Sequence, residues 1–297
     1  MPLHHVAGAL LVAVIWGFNF AAIRIGLDSF PPLLMTALRF VAAAIPVLWL
    51  ARPANAPWLV MIAVAFTWYV GQFVFLFSAM AESVPPGLAA VIVHTQAPLT
   101  IAFALLIGER PTPKQGAGVA IAVLGLVLVG ASVGGAGIGA VTVIGFALAL
   151  MSATSWAVGN ILAKRLGRID LNMVAWLSLI APLPSLALSL WLEGPAMIAS
   201  SIANATWSGW LAIAYLAAMA TLVAYLIWGS LLRLYPASAV TPFALLVPVI
   251  SAAVSYFAFA ERFGPLRLSG MALIVGGLAV IAWPVSRRAM DGRAAGR

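Results

Sequence analysis

The 297-residue chain contains no cysteine. That absence removes a disulfide framework, a thiolate nucleophile, an iron–sulfur cluster and any zinc site built on thiolates. Acidic side chains are nearly as scarce: Asp28, Glu82, Glu109, Asp170, Glu193, Glu261 and Asp291 are the full set. Charged residues of both signs make up only 7% of the chain while 64% is hydrophobic, against roughly a quarter charged in ordinary soluble domains. So little polar surface cannot cover a water-soluble globule, and the chain is expected to be an integral membrane protein. The net charge of +8 would suggest nucleic acid in a soluble protein. In a membrane protein the same Lys and Arg excess is a topology signal, so no nucleic-acid partner is expected.

What is present is a series of long charge-free runs. No charged residue lies between Arg52 and Glu82, from Ser83 to Gly108, from Gln115 to Ala163, from Leu171 to Leu192, from Pro195 to Leu232 or from Leu234 to Ala260. At about 20 residues per bilayer crossing, and broken at Gly, Pro and charge clusters, the text predicts ten helices. They fall near 5–27, 32–51, 57–80, 86–107, 114–132, 138–163, 172–192, 207–233, 237–260 and 266–286. The first is expected to be a retained span and not a secretory signal, because no Lys or Arg precedes it and its apolar stretch runs on past Trp16 to Ile23. With ten spans both termini share a side. Arg52, Arg110, Lys114, Lys164, Arg165, Arg168, Arg233, Arg287, Arg288, Arg293 and Arg297 fall on it, and only Arg262 and Arg267 fall opposite, with Arg24 and Arg39 inside helix ends. Positive-inside topology then puts both termini in the cytoplasm of a bacterial inner-membrane, multi-pass protein, in contact with the lipid bilayer.

The two halves of the chain repeat each other. Trp16-Gly17-Phe18-Asn19 with Arg24 eight residues after the Trp returns loosely as Trp156-Ala157-Val158-Gly159-Asn160 with Lys164 at the same distance. Pro86-Gly87-Leu88-Ala89-Ala90 leads to Pro98 and Gly108-Glu109-Arg110, just as Pro236-Ala237-Ser238-Ala239-Val240 leads to Pro248 and Ala260-Glu261-Arg262. Gly118 and Gly125 find counterparts in Gly270 and Gly277. Proline, glycine and Glu-Arg positions coincide together, which apolar text does not do by accident. The expected units are residues 1–137, residues 138–286 and a basic tail of residues 287–297. An odd number of spans per half means that the second half enters the membrane inverted, an arrangement that sets a binding site near the midplane between rocking halves.

These motifs, from about Ala9 to Trp283, resemble the EamA-type branch of the drug/metabolite transporter superfamily, and within it the YddG-like exporters of aromatic and other amino acids. The resemblance implies an all-α membrane protein of ten transmembrane helices, built as two five-helix inverted-topology repeats around a central cavity. The cavity is then formed mainly by the first four helices of each half, with the fifth and tenth peripheral. One departure stands out: Asn19 follows its Trp by three residues and Asn160 by four, which puts the equivalence of the two asparagines in doubt.

Polar residues inside spans are functional candidates, with inter-helix hydrogen bonding as the alternative. Trp68, Gln72 and Phe75 fall on one helical face and suit either a cavity wall or helix packing. His94 and Gln96 precede Pro98, whose missing N–H frees the His94 carbonyl and breaks the helix, as is tolerated beside a cavity; His94 either touches substrate or makes a structural bond. Trp16 and Asn19, and Trp156 and Asn160, are either site residues or fasteners of the fold. Tyr225 and Trp228, with Thr221, suit a pocket or an interfacial belt. Arg39 lies deeper than Arg24 and is placed either to bind a carboxylate in fork geometry or to snorkel.

No cluster of carboxylates, histidines or activated nucleophiles supports an enzyme, a lipid-modifying one included, and no P-loop supports ATP as an energy source. No metal or cofactor is expected. The acidic residues all fall in loops, tails or helix ends, so a cavity for neutral, zwitterionic or anionic solutes is expected. The expected function is secondary export of small amphipathic metabolites, with aromatic or large neutral amino acids favoured, by facilitated or weakly coupled alternating access. The alternative cargo is another neutral or anionic metabolite, such as a sugar phosphate or nucleotide-linked solute, for which few basic groups are available. Gly116, Gly118, Gly125, Gly130, Gly270, Gly276 and Gly277 allow close contact of the fifth and tenth helices, either within one chain or in a homodimer.

Overall fold

The computed structural model describes residues 1–53, 56–134, 140–167 and 169–282. Arg168, the half boundary at 137/138 and the basic tail of residues 287–297 lie outside the described residues. The structure is helical throughout its described residues. Among the described residues nine helices are long and apolar enough to cross a bilayer: Leu3–Leu27, Trp58–Glu82, Pro86–Leu106, Pro113–Ala131, Val143–Ala163, Leu171–Leu192, Trp207–Leu234, Thr241–Phe259 and Pro265–Ala282. The shorter apolar helix Pro32–Leu48 completes the ten as the second span; its last turn tightens to 3₁₀ at Ile45–Leu48, where Pro46 lacks the N–H that an α-turn needs.

Span ends follow their local chemistry. Pro32, Pro86, Pro113 and Pro265 open helices at positions where a missing N–H costs nothing. Thr112 and Gln115 form a reciprocal capping box ahead of the fifth span. Two expectations shift. The sixth span starts at Val143 and not near 138, capped by the Thr142 side chain. The stretch between the seventh and eighth spans, expected as a loop, holds the helix Pro195–Asn204, introduced by Gly194 at φ 84° and by Pro195.

Packing between the halves follows a pseudo-twofold pattern. The first span packs on the eighth and ninth, and the sixth packs correspondingly on the third and fourth. The second packs on the seventh, the fourth on the ninth and the fifth on the tenth, so each of these pairs maps onto itself when the halves exchange. Any twofold relation between like halves gives these exchanges, and the odd number of spans in each half makes the relation an inverted one.

The fifth and tenth spans cross at their glycines. A Cβ added at Gly118 would lie 2.7 Å from the Gly277 carbonyl oxygen, and one at Gly125 would lie 2.6 Å from that of Gly270. The reciprocal substitutions at Gly270 and Gly277 meet Gly125 and Gly118 just as closely. These four glycines therefore serve contact within the chain, the first of the two alternatives the sequence left open. Without side chains in the way the backbones approach closely, and dispersion replaces the hydrophobic driving force that lipid does not supply.

Both halves depart from α geometry at the same place. Phe66–Gly71 in the third span and Tyr215–Val223 in the eighth are π-helical. The carbonyls these wide turns displace are taken by side chains of the facing half: Ser155 Oγ donates to Thr67 O at 2.7 Å, and Trp16 Nε1 donates to Ala220 O at 3.0 Å. A π-turn frequently marks a functional position in a helix. Here it rotates the following helix face. Leu76, not Phe75, follows Trp68 and Gln72 toward the interior, and the expected Trp68, Gln72 and Phe75 stripe is corrected accordingly.

The glycine crossing makes a direct prediction. Gly125→Leu and Gly277→Leu should each lower stability by about 1–3 kcal/mol through overpacking, whereas Gly116→Leu, with open space around its Cβ position, should change it little. Thermal unfolding of the purified variants in detergent measures the difference.

Candidate functional site

Two connected hollows lie between the halves. The wider, about 700 Å³, is walled by Trp16, Trp68, His94, Gln96, Trp156, Asn160, Tyr225 and Trp228. Its mouth is bordered by Ile169, Leu232 and Ala282, which stand at the ends of spans on the side of the N-terminus. Leu278, Ile281 and Ala282 bring the tenth span into the wall, so that helix is less peripheral than the resemblance implied. Behind the wider hollow sits a chamber of about 80 Å³, bordered by Asn19, Phe20, Arg39, Gln72, Phe73 and Leu76 among others. Trp16, His94, Trp156 and Tyr225 line both and form the neck between them. Eleven of the residues singled out from the sequence thus stand on the walls of one hollow or the other, while Phe75 and Thr221 line neither. Phe20, Phe73, Leu76 and Thr241 were not among them: apolar side chains carry no signal that separates a cavity wall from a core, and the π-turn hides the register of Phe73 and Leu76.

Their hydrogen bonds separate fasteners from open groups. Asn160 accepts from Trp68 Nε1 at 3.0 Å and donates to Gln96 Oε1 at 2.6 Å and to Thr100 Oγ1 at 3.0 Å, so it ties the third, fourth and sixth spans together. His94 donates Nδ1–H to the Ala90 carbonyl at 2.7 Å, the structural bond of the two readings, while its ring meets Trp156 edge-on with 6.1 Å between centroids. The predicted break before Pro98 is present, with one helix ending at His94 and the next starting at Gln96. Trp16 spends its N–H on the eighth span and packs against Tyr225 and Trp228, with centroids at 5.6 and 5.3 Å.

Arg39 is the most heavily constrained of these residues. It is only 3% exposed. Its Nε and Nη2 donate to Thr221 Oγ1 at 3.3 and 3.1 Å, and its guanidinium lies 4.0 Å from the Phe73 ring centroid. Thr221 passes its own proton to the Leu216 carbonyl, which the π-turn leaves within reach at 2.8 Å. Arg39 Nη1 is buried with no hydrogen-bond partner, and no described acidic side chain forms an ion pair with Arg39. Asn19 and Gln72, each 7% exposed, line the same chamber, and their side-chain amides bond to no other described residue. Asn19 and Asn160 therefore do different things, which accounts for their different spacing from the repeated tryptophans. Arg24, by contrast, is exposed and pairs with Asp28.

The far side is closed by carboxylates on helix N-termini. Glu193, at the end of the seventh span, accepts from Leu33 N at 2.7 Å and Leu34 N at 3.0 Å. Glu261, between the ninth and tenth spans, accepts from Gly87 N at 3.0 Å and from Ser255. Both place a second-half carboxylate on the N-terminus of a first-half helix, where the macrodipole favours negative charge. Burial pushes the Glu261 carboxyl above its usual range, opposed by its bonds to Ser255, Gly87 and Leu88 and by the Arg267 charge. A vestibule of about 830 Å³ lies outside this closure, bordered by Asp28, Pro86 and Arg262, and it shares no lining residue with the chamber. Among the described residues no group of three His, Asp or Glu side chains could hold a metal ion.

Asn160→Ala should lower stability by about 1–2 kcal/mol, because it removes three inter-helix bonds in a medium where no water replaces them. Asn19→Ala should leave the melting temperature within error of the parent. Thermal unfolding of both variants side by side tests the division between fastener and open group.

Residues 5–131 and 143–283 each match the EamA-like transporter family, so the family repeat covers both halves. A Salmonella typhimurium protein named "Probable amino-acid metabolite efflux pump" is 39% identical over 277 residues, covering 91% of this chain and 92% of the relative. The protein of the same name from Escherichia coli K12 is 38% identical over the same shares. A solved structure titled "Crystal structure of protein" superposes with a TM-score of 0.62 at 24% identity, covering 99% of each chain, which supports the fold alone. With ten spans in two inverted halves, a hollow between them and both halves matched, the chain belongs to the EamA-like transporter family and is a multi-pass membrane transporter, not an enzyme.

Proposed function

We propose that the protein exports amino acids with large apolar or aromatic side chains, moving them through the wide hollow by alternating access. The single observation that carries the reading is the pairing of an aromatic-walled cavity with a buried Arg39 that has no carboxylate partner among the described residues. Trp16, Trp156, Tyr225 and Trp228 offer rings for an apolar side chain. Trp68, Asn160 and Gln96 brace the wall, and His94 narrows it. Asn19, Arg39 and Gln72 are the groups open to a polar head. The names of the two amino-acid metabolite efflux relatives point the same way. Sugar phosphates fit less well, because two or more cations usually converge on a phosphate and Arg39 stands without a second cation on the chamber wall.

In this reading residues 1–137 and 138–286 are the two moving units, and the structure corresponds to the state open toward the side of the termini. The Lys and Arg excess on that side supports a cytoplasmic assignment and an inner-membrane location. Opening the far side requires Glu193 and Glu261 to leave the helix ends they cap. Transport down a gradient needs no further coupling device. A homodimer is not part of the proposal, since Gly118, Gly125, Gly270 and Gly277, four of the seven glycines that could have served it, are occupied within the chain.

Reconstituted protein should exchange labelled phenylalanine against internal phenylalanine in liposomes without any ion gradient, and should not exchange a phosphorylated hexose. Trp156→Ala and Trp228→Ala should each reduce the initial rate about three- to tenfold, the worth of one aromatic contact. Exchange of the hexose phosphate but not of phenylalanine would refute the reading.

A further inference from the structure

The two hollows differ in both size and chemistry. The chamber behind the neck, about 80 Å³, is several times smaller than the wide hollow of about 700 Å³, a proportion that suits a small polar head in the one and a bulky tail in the other. Beyond the neck residues, its polar groups are a guanidinium and two primary amides, each on a residue more than nine-tenths buried. Arg39 Nη1 is buried with no partner, which in a low-dielectric interior costs about 1–3 kcal/mol, and the two amides face the chamber with no hydrogen bond to another described side chain. The wide hollow is the reverse. Its rings are numerous, while its Trp16 and Trp68 N–H groups and its Asn160 amide are already committed to other spans and its His94 Nδ1 to its own.

We infer that cargo binds head-first, with its carboxylate passing the neck to Arg39, Asn19 and Gln72 and its side chain staying among the rings of the wide hollow. The inference rests on the amino-acid reading for its choice of tail and goes beyond it in the selection rule. Among the described residues Arg39 is the only charged one on the walls of either hollow, and no anionic side chain is there to receive an ammonium. The carboxylate, and not the α-amino group, is therefore the required feature, and the site accepts aryl- and alkyl-monocarboxylates lacking the amine. The side chain meets only apolar faces in a space several times larger than the chamber, so many tails are tolerated. Thr221 is a positioning residue in this scheme: it holds Nε and Nη2 so that Nη1 is left for the ligand.

Four compounds with one ring and different heads test the rule on the unmodified protein. Phenylalanine, 3-phenylpropionate, phenylalaninamide and phenethylamine are titrated into the purified protein with tryptophan fluorescence as the readout. Expected is saturable binding of both carboxylates within about tenfold of each other, with the amide and the amine each weaker by about tenfold or more, the difference made by a charge-assisted hydrogen bond. Equal or tighter binding of the amide or amine, which an aromatic cage for cations would give, overturns the inference even if phenylalanine is transported. Saturable binding of 3-phenylpropionate without phenylalanine exchange leaves the inference standing and sinks the amino-acid reading. Absence of saturable binding by both carboxylates overturns it outright. Arg39→Gln should erase the preference for carboxylate over amide, and Arg39→Lys should restore part of it. Thr221→Val should weaken carboxylate binding while leaving amide binding unchanged; an equal loss for both would make Thr221 structural only.

Discussion

Inside a bilayer a polar group that the protein does not satisfy has no water to turn to, and this constraint sorts the side chains of the interior into two sets. Most are spent on the fold. Asn160 joins three spans, Trp16 and Ser155 take carbonyls that the π-turns displace, and His94 returns to its own helix. A small remainder is not: Arg39 Nη1, Tyr69 Oη and Ser185 Oγ are buried without a partner, and the amides of Asn19 and Gln72 face the chamber. Keeping a guanidinium in hydrocarbon with a threonine and an aromatic face as its neighbours is expensive. The cost is understandable if a ligand completes the shell during each cycle.

The same economy explains the architecture. Packing that exchanges the first and sixth spans, and the third and eighth, gives two like halves whose interface is curved around the hollow. Close glycine contact locks the fifth and tenth spans together at the edge. On the far side the contacts between halves include carboxylates on helix ends and hydroxyl pairs such as Ser29 with Thr206 and Ser83 with Thr142, beside the aromatic contact of Phe30 with Trp210. On the near side Glu109 pairs with Lys164 at half-exposed positions. Polar contacts of this kind have discrete partners and can be exchanged for water when a vestibule opens, whereas a packed apolar interface cannot.

Much of this was legible in the sequence, and for identifiable reasons. The ten spans stand out because charge is excluded from them, and the inverted repeat because Pro86 and Pro98 return as Pro236 and Pro248 with glycines in register. The broken helix at Thr95 follows from Pro98 alone. The three-residue and four-residue spacings from tryptophan to asparagine foreshadowed that Asn19 and Asn160 part company. Less legible were features that no residue type announces. Nothing in Phe66–Gly71 or Tyr215–Val223 marks a π-turn, and a single extra residue per turn moves Leu76 inward in place of Phe75. Which amides are spent and which are open depends on contacts across more than sixty residues of chain, as between Asn160 and Gln96, and pattern alone does not reach that far.

The central claim is that one hollow, now open toward the side of the termini, carries the solute by closing there. Because the chain has no native cysteine, a single cysteine at Leu232, on the mouth of the wide hollow, reports that closure without background. Its rate of reaction with a membrane-impermeant thiol reagent, applied from the side of the termini with and without saturating phenylalanine, is the measurement. The account predicts fast labelling in the absence of solute and a slower rate in its presence. A rate unaffected by solute, in protein that exchanges phenylalanine, would contradict it.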